Sequence, residues 1–277
     1  MKSLLEIINQ KTWWHNDHSV LIQGDCVEVM KKITEKSVDV VFADPPYFLS
    51  SGGISVQSGK MVSVDKGDWD KSLTIKDKLL FHQTWIREAR KVLKDDGTIW
   101  ISATLHSVYA IGVALELEGF SIINNVIWRK TNPAPNISAR AFTHSTETVI
   151  WARKQLTPTK KGKHYFAYDE MKKYNNGKQL KDFWDLNDTN VVFESGTTPK
   201  REKTYGKHPT QKPISLLERI IEASTTEGQI ILDPFAGSAT TLFVANSLNR
   251  FAIGIELDKI YLDLGKKRII GGIIYGK

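Results

Sequence analysis

The sequence predicts an α/β fold: a mostly parallel, doubly wound sheet with helices on both faces. Three observations predict it. Apolar runs of strand length alternate with segments of helical periodicity along most of the chain. Two of those runs end in an acid followed by proline, Asp44-Pro45 and Asp233-Pro234, and strand ends are where open α/β sheets bind ligands. The 277 residues, 41% of them hydrophobic, suffice for one large α/β domain or two small ones.

Each element has a local reason. Val20 to Gln23 reads as a strand that stops at Gly24-Asp25, and Val27 to Ile33 as a helix. Val38 to Ala43 is apolar enough to be a buried strand. Residues 48–72 are rich in Gly and Ser and lack periodicity, so they read as a long mobile loop. Leu79 to Leu93 carries apolar residues at helical spacing, stopped by Asp95-Asp96-Gly97. Thr98 to Ile101 follows as a strand, then Val108 to Glu118 as a helix with Gly119 as its C-cap. Ile122 to Trp128 and Thr148 to Ala152 read as strands. Order returns after residue 207 with a helix from Ile214 to Ala223, a strand from Ile230 to Leu232 and a helix from Thr240 to Leu248. A strand from Phe251 to Ile255 and a last helix from Ile260 to Ile269 complete the pattern.

Between about residues 153 and 207 periodicity fades. Charged residues interleave with Tyr165, Tyr168, Tyr174 and Trp184, which suggests an inserted, partly irregular region. From Arg153 to Lys212 there are 14 Lys/Arg against 7 Asp/Glu, a surplus of 7 that equals the net charge of the whole chain, +7. A basic excess concentrated in this way points to a polyanionic partner, although a solvated lysine-rich surface accounts for the charge as well. The single cysteine, Cys26, excludes a disulfide framework and a cysteine-rich zinc site. No apolar run has the ~18 residues of a membrane-spanning helix and no signal peptide opens the chain, so the expectation is a cytoplasmic protein without a membrane partner.

Asp44-Pro45-Pro46-Tyr47 places an acid, two rigid prolines and an aromatic ring at one strand end. The prolines lack N–H donors, which leaves carbonyls unclaimed in the turn. A planar ring bearing an exocyclic amine suits that mixture of acceptors and flat surface. Asp233-Pro234-Phe235-Ala236-Gly237-Ser238-Ala239-Thr240-Thr241 is again a strand end, a turn of small residues and a helix start. Small residues let a ligand approach the backbone, and the helix start offers free N–H groups. The stretch is neither a P-loop nor a dinucleotide GxGxxG turn. About 20 residues on, Glu256 ends the next strand, the place of an acid that receives a ribose diol. Together these features imply a nucleoside-bearing cofactor without a pyrophosphate.

With these motifs the chain resembles the DNA amino-methyltransferases, which move a methyl group from S-adenosyl-L-methionine to adenine N6 or cytosine N4. Asp44-Pro45-Pro46-Tyr47 is similar to their catalytic tetrapeptide, and Asp233 to Ser238 to their cofactor loop. Lys207-His208-Pro209-Thr210-Gln211-Lys212-Pro213 resembles their cofactor-carboxylate motif. The catalytic motif comes first, the basic region next and the cofactor motif last, which is the β arrangement of the family. Residues 65–70 and 130–136 resemble the second adenine methylase of Dpn-type GATC restriction systems. One departure is Ala239, where the family loop often has a second glycine; its methyl group is expected to narrow the cofactor pocket slightly.

The resemblance implies a Rossmann-like methyltransferase fold in three parts: a catalytic half over 1–152, a basic target-recognition insertion over 153–207 and a cofactor half over 208–277. It implies catalytic roles for Asp44, Pro45, Pro46 and Tyr47, with Phe48 and Trp69 as further walls of the base pocket. It implies cofactor contacts from Asp25, Cys26, Asp44, Thr210, Lys212, Asp233, Phe235, Gly237, Ser238, Thr240 and Glu256, and no metal. His208 is read as structural, as are His144 to Glu147. Asp at the head of the tetrapeptide favours adenine over cytosine, whose enzymes usually carry Ser there. Cytosine-N4 methylation is the near alternative, and a nucleic-acid-binding protein without catalysis the distant one. The implied partners are DNA, with its target base flipped out of the duplex, a second copy of the chain, and a cognate restriction endonuclease acting separately.

Overall fold

The computed structural model describes residues 4–48, 54–57, 60–63, 73–130, 133, 135–136, 138–157, 159–160, 162–185, 198, 202, 205–206 and 211–272. The sequence motifs that fall on Trp69, on residues 65–70, on part of 130–136 and on Lys207 to Thr210 lie outside the described residues.

Five strands form the parallel centre of the sheet: β2 (Ser19–Gln23), β3 (Val38–Ala43), β6 (Leu93–Ala103), β10 (Ile230–Asp233) and β11 (Phe251–Glu256). β3 is buried along its whole length, as a strand covered on both faces must be. With β1 (Trp14–His15), β7 (Phe120–Arg129), β8 (Thr146–Lys154) and β9 (Phe183–Trp184), they make a sheet ordered β1-β2-β11-β10-β3-β6-β8-β7-β9. β8 runs antiparallel to both β6 and β7, and β9 is parallel to β7.

Helices α1 (Cys26–Met30), α2 (Ile75–Val92) and α3 (Val108–Leu117) cover one face. Helices α5 (Ile214–Ser224), α6 (Thr240–Ser247) and α7 (Lys259–Gly271) cover the other, and the sheet thus has an apolar core on each side. The chain leaves β3 through α2 toward β6, and leaves β10 through α6 toward β11 on the other side. β3 and β10 are neighbours, so the direction of winding reverses between them, the crevice where open α/β sheets bind ligands.

The structure departs from the sequence reading in four places. Helix α2 ends at Val92, and Leu93 already pairs with Val38. Leu93 is fully buried, so tertiary packing rather than the Asp-Asp-Gly signal sets this boundary. Within 48–72, residues Ile54–Gln57 (β4) and Lys60–Ser63 (β5) form a two-stranded antiparallel ladder where a loop without structure is expected. Ile54-Ser55-Val56-Gln57 alternates apolar and polar residues, and two residues separate the strands, which is hairpin spacing hidden in a Gly/Ser-rich stretch. The two-residue strands β1 and β9 are too short to show periodicity at all. The fourth departure lies in the basic segment.

There, residues 162–185 are packed onto the sheet. Helix α4 (Tyr168–Met171) lies against α5, and the backbone N–H of Ala167 donates to the carbonyl of Ala223 at 2.9 Å. Trp184 is buried beside Trp100, ring centroids 6.2 Å apart, and Phe166 lies 5.5 Å from Trp151. The Arg219 guanidinium covers the rings of Tyr174 and Trp184 at 4.6 and 5.1 Å. Among the aromatics of this stretch, Trp184 and Tyr174 therefore serve packing, while Lys160, Lys163, Lys178 and Lys181 face solvent.

Candidate active site

Four adjacent parallel strands end on the same edge, and each end presents an acid. The strand register sets them in the order Asp25 after β2, Glu256 on β11, Asp233 on β10 and Asp44 after β3. Neighbouring strands lie about 4.8 Å apart, so the row spans about 14 Å. A cleft of about 340 Å³, part of it open to solvent, lies over the β3/β10 end of the row. Asp44, Gln211, Lys212, Asp233, Phe235 and Gly237 line it, together with Ser238, Thr240 and Thr241.

At the β3 end the groups form one hydrogen-bonded corner. The Tyr47 hydroxyl donates to Asp44 Oδ1 at 2.6 Å and meets Ser102 Oγ on β6 at 3.0 Å. Lys212 Nζ donates to Asp44 at 2.8 Å and to the Tyr47 hydroxyl at 2.8 Å, and lies 5.2 Å from the centre of the Tyr47 ring. Burial and the Asp44 carboxylate hold the Tyr47 phenol well above its ordinary pKa, so it stays a neutral donor. Pro45 is buried, and among the described residues its carbonyl receives no hydrogen bond. Phe48 packs edge-on against Phe81 and His82, 5.1 and 6.1 Å away, and does not line the cleft.

At the β10 end Asp233 is held locally. Its carboxylate accepts from the Phe235 backbone N–H at 3.0 Å and from the Thr241 hydroxyl at 2.6 Å. Desolvation outweighs those bonds and pushes its pKa up to about 7. Glu256 accepts from Gly237 N at 2.8 Å and Asp258 N at 2.9 Å, which ties the turn to the end of β11; burial raises its pKa as well. The turn passes through two left-handed residues, Gly237 (φ 50°) and Ala239 (φ 55°), and opens α6. Phe235 is oriented by Trp85 of α2, ring centroids 5.4 Å apart and nearly perpendicular. A buried acid with a raised pKa is one that a bound ammonium would stabilise, and small residues leave the backbone above it open. The row of acids therefore fits an elongated ligand with an amino-acid end and a hydroxyl-bearing end.

Comparison with known proteins agrees with this chemistry. Residues 38–267 match the model of the N6/N4 DNA methylase family. The type II methyltransferase M2.LlaDCHI of Lactococcus lactis subsp. cremoris is 52% identical over 270 residues, covering 98% of this chain and 96% of that protein. M2.DpnII of Streptococcus pneumoniae is also 52% identical, over 95% of this chain and 94% of that one. This chain belongs to the DNA methylase family. Among solved structures, a complex of M1.HpyAVI with S-adenosylmethionine superposes with a TM-score of 0.64 at 27% identity, over 91% of this chain and 98% of that one.

The methylase is accordingly an S-adenosyl-L-methionine-dependent DNA methyltransferase with a Rossmann-like fold. Of the residues expected at its site, Asp44, Lys212, Asp233, Phe235, Gly237, Ser238 and Thr240 meet in the cleft. Pro45, Pro46 and the buried Tyr47 stand beside Asp44 but are not part of the cleft lining, and Asp25, Cys26 and Glu256 lie beyond it, farther along the row. Asp25 caps α1 by accepting from Val27 N and Glu28 N at 2.9 and 3.2 Å. Cys26 is a buried first-turn residue whose thiol is pushed up to about 12 by burial, so it is no nucleophile and offers only its backbone. Thr210 lies outside the described residues.

Two residues outside the sequence motifs, Ser102 and Arg268, also hold this region together. Ser102, on β6, braces the Tyr47 hydroxyl. Arg268 of α7 is fully buried and donates to Ser238 Oγ at 3.0 Å, to Thr240 Oγ1, to the Glu202 carbonyl at 3.1 Å and to Gln211 Oε1 at 2.9 Å. One guanidinium thus joins the cofactor turn to the segment that carries Lys212. A lone Arg in a basic C-terminal helix gives no signal of this in the sequence. The exposed Leu105, Tyr109 and Phe142 follow β6 or precede β8, at the sheet end that carries Asp44; Phe142 is 96% exposed.

Proposed function

We propose that this methylase transfers the methyl group to N6 of an adenine flipped out of DNA, with Asp44 as the residue that activates the amine. S-adenosyl-L-methionine supplies, when bound, an electrophilic methyl group on a sulfonium. The order of acids along the strand edge carries the reading: Asp25 with the Cys26 backbone for the cofactor adenine, Glu256 for the ribose hydroxyls, Asp233 for the amino group of the methionine part, and Asp44 for the target amine. Gly237, Ser238, Phe235 and Thr240 form the surrounding cradle, and Thr210 and Lys212 serve the cofactor carboxylate.

An exocyclic adenine amine is a poor nucleophile because its lone pair is delocalised into the ring. Asp44 and the unclaimed Pro45 carbonyl accept its two hydrogens and draw the nitrogen toward tetrahedral geometry. Asp44 then stabilises the positive charge that develops on nitrogen, and the methylated nitrogen, being a strong acid, releases one of its two hydrogens as a proton to solvent. Tyr47, fixed through its hydroxyl, offers the ring face on which the base stacks, and alignment of the two reactants supplies much of the remaining rate. The exposed lysines of 153–207 neutralise phosphates and hold this segment, the target-recognition region of the reading, on DNA; GATC as the target rests on the likeness to Dpn-type enzymes alone. The three-part division at residues 152 and 207, a homodimeric state, a cytoplasmic location and a separate cognate endonuclease complete the reading. No helix among the described residues is long and apolar enough to cross a membrane.

The test is to incubate the purified protein with tritiated S-adenosylmethionine and DNA and digest the product to nucleosides. Label in N6-methyladenine is expected. Label in N4-methylcytosine overturns the choice of base.

A further inference from the structure

We propose that Lys212 is an internal occupant of the amine pocket, which keeps the cofactor-free enzyme closed to its target base. The inference deepens the adenine-N6 reading and rests on it. Lys212 Nζ takes the carboxylate contact assigned to the target amine: it lies 2.8 Å from each oxygen of Asp44 and 2.8 Å from the Tyr47 hydroxyl, at the hydroxyl end of that ring and 5.2 Å from its centre. Its side chain is only 7% exposed, so this is a built arrangement and not a surface ion pair that solvent screens. The ammonium bridges both Asp44 oxygens and the Tyr47 hydroxyl donates to one of them as well, so the carboxylate is already charge-paired and is a weak acceptor for a further amine. The base therefore binds well only when the ammonium leaves.

The same residue lines the cofactor cleft beside Gln211, Asp233 and Thr240. A carboxylate arriving in that cleft gives Lys212 a second partner of the same charge as Asp44. Lys212 moves from one carboxylate to the other without becoming an uncompensated buried charge, an event that is costly when nothing replaces the lost partner. Asp44 is thereby released to accept from an amine. Cofactor first and base second is the resulting order. If the closed form holds about nine-tenths of the cofactor-free molecules, its removal raises apparent capture of the base about tenfold.

The test reads base capture rather than turnover. A duplex that the wild type methylates carries 2-aminopurine beside the methylated adenine, whose unstacking raises fluorescence. The full-length wild type is expected to give little signal alone and about tenfold more with S-adenosylhomocysteine, which has the carboxylate but no methyl group to transfer. Lys212→Met, matched in length and uncharged, is expected to give the signal without S-adenosylhomocysteine. Lys212→Arg, which keeps the charge, remains dependent on it. Equal capture by the wild type with and without S-adenosylhomocysteine overturns the proposal, and this arm decides even if a variant fails to fold. A folded Lys212→Met as dependent as the wild type overturns it too. Absence of any methyl transfer to DNA by the wild type sinks the parent reading, and this inference with it, and is a separate outcome from either fluorescence result.

Discussion

Asp44 and Asp233 stand in nearly the same sequence context, each at the end of a parallel strand and each followed by proline, yet they are opposite electrostatic objects. Asp44 is 13% exposed in its side chain and is paired with an ammonium from 168 residues away. Asp233 is 3% exposed, has only local hydrogen-bond partners among the described residues, and is pushed up to about 7 by burial. The difference suits the roles proposed for them: a carboxylate that handles an amine is already paired with a cation, whereas one that anchors an ammonium-bearing cofactor is stabilised by the charge the cofactor brings.

The sharpest way to break the comparison is to remove each acid. Asp44→Ala is expected to lower methyl transfer by on the order of 10³-fold, as loss of a preorganised charge-stabilising group does, while cofactor binding is kept and tightens by up to about tenfold because Lys212 is no longer held by Asp44. Tritium transfer and calorimetric titration measure the two quantities, and retained transfer refutes the proposed activation of the amine. Asp233→Asn should do the reverse and weaken the cofactor by about 10- to 100-fold, the worth of a hydrogen bond to a charged group.

The raised pKa of Asp233 makes cofactor binding depend on pH. Below about 7 its carboxyl is protonated and binds an ammonium weakly, so cofactor affinity should rise by up to tenfold per pH unit toward about 7 and level off above it. Stability runs the other way. The unfolded chain releases this proton near 3.8 and the cofactor-free fold only near 7, so the fold loses stability as pH rises between those values. Titrations of wild type and Asp233→Asn from about pH 5.5 to about pH 8 check the sign, and a slope that survives in the variant assigns it to another group.

Arg268 tests whether the two regions are mechanically joined. Its guanidinium reaches Ser238 and Thr240 on the cofactor turn and Glu202 and Gln211 on the other side. Arg268→Met removes these bonds and should cost about 2–3 kcal/mol of stability, read from denaturant unfolding. It should also weaken the cofactor, because the turn loses its brace. An unchanged affinity in a destabilised variant restricts Arg268 to a structural role.

The legible and illegible parts of the molecule divide along a physical line. The parallel strands and both Asp-Pro ends can be read from sequence because burial on two faces demands continuous apolar runs, and the turns that follow need Pro and small residues. The row of acids is legible as separate motifs, but its order depends on strand register, which no local pattern carries. The Lys212–Asp44 pair and the Arg268 cluster are contacts between segments far apart in the chain: Lys212 and Asp44 each sit in a legible motif, but no local pattern says that they touch, and Arg268 looks like an ordinary member of a basic helix. Tyr174 and Trp184 mislead in the opposite sense: aromatics among lysines resemble a nucleic-acid surface, whereas here they cover Arg219 and the sheet.

Ala239 provides the finest test. It occupies the left-handed region at φ 55° and ψ 35°, where an L-residue with a Cβ costs about 1–2 kcal/mol and glycine is the ordinary choice. Its methyl group does not narrow the cleft as the sequence leads one to expect, because Ala239 is fully buried and absent from the lining. The methyl points at α7, where Gly265 leaves room for it; a Cβ built on Gly265 would come within 2.8 Å of the Ala239 Cβ. The pair therefore trades the usual glycine in the turn for one in the facing helix. Ala239→Gly relieves the backbone and loosens the unfolded chain by up to about 1 kcal/mol, so the net gain should be no more than about 1 kcal/mol, with cofactor affinity unchanged. Gly265→Ala alone should be destabilising, and Gly265→Ala with Ala239→Gly should recover much of the loss. Additive effects in that double-mutant cycle, measured by denaturant unfolding, would show that the two positions do not compensate each other.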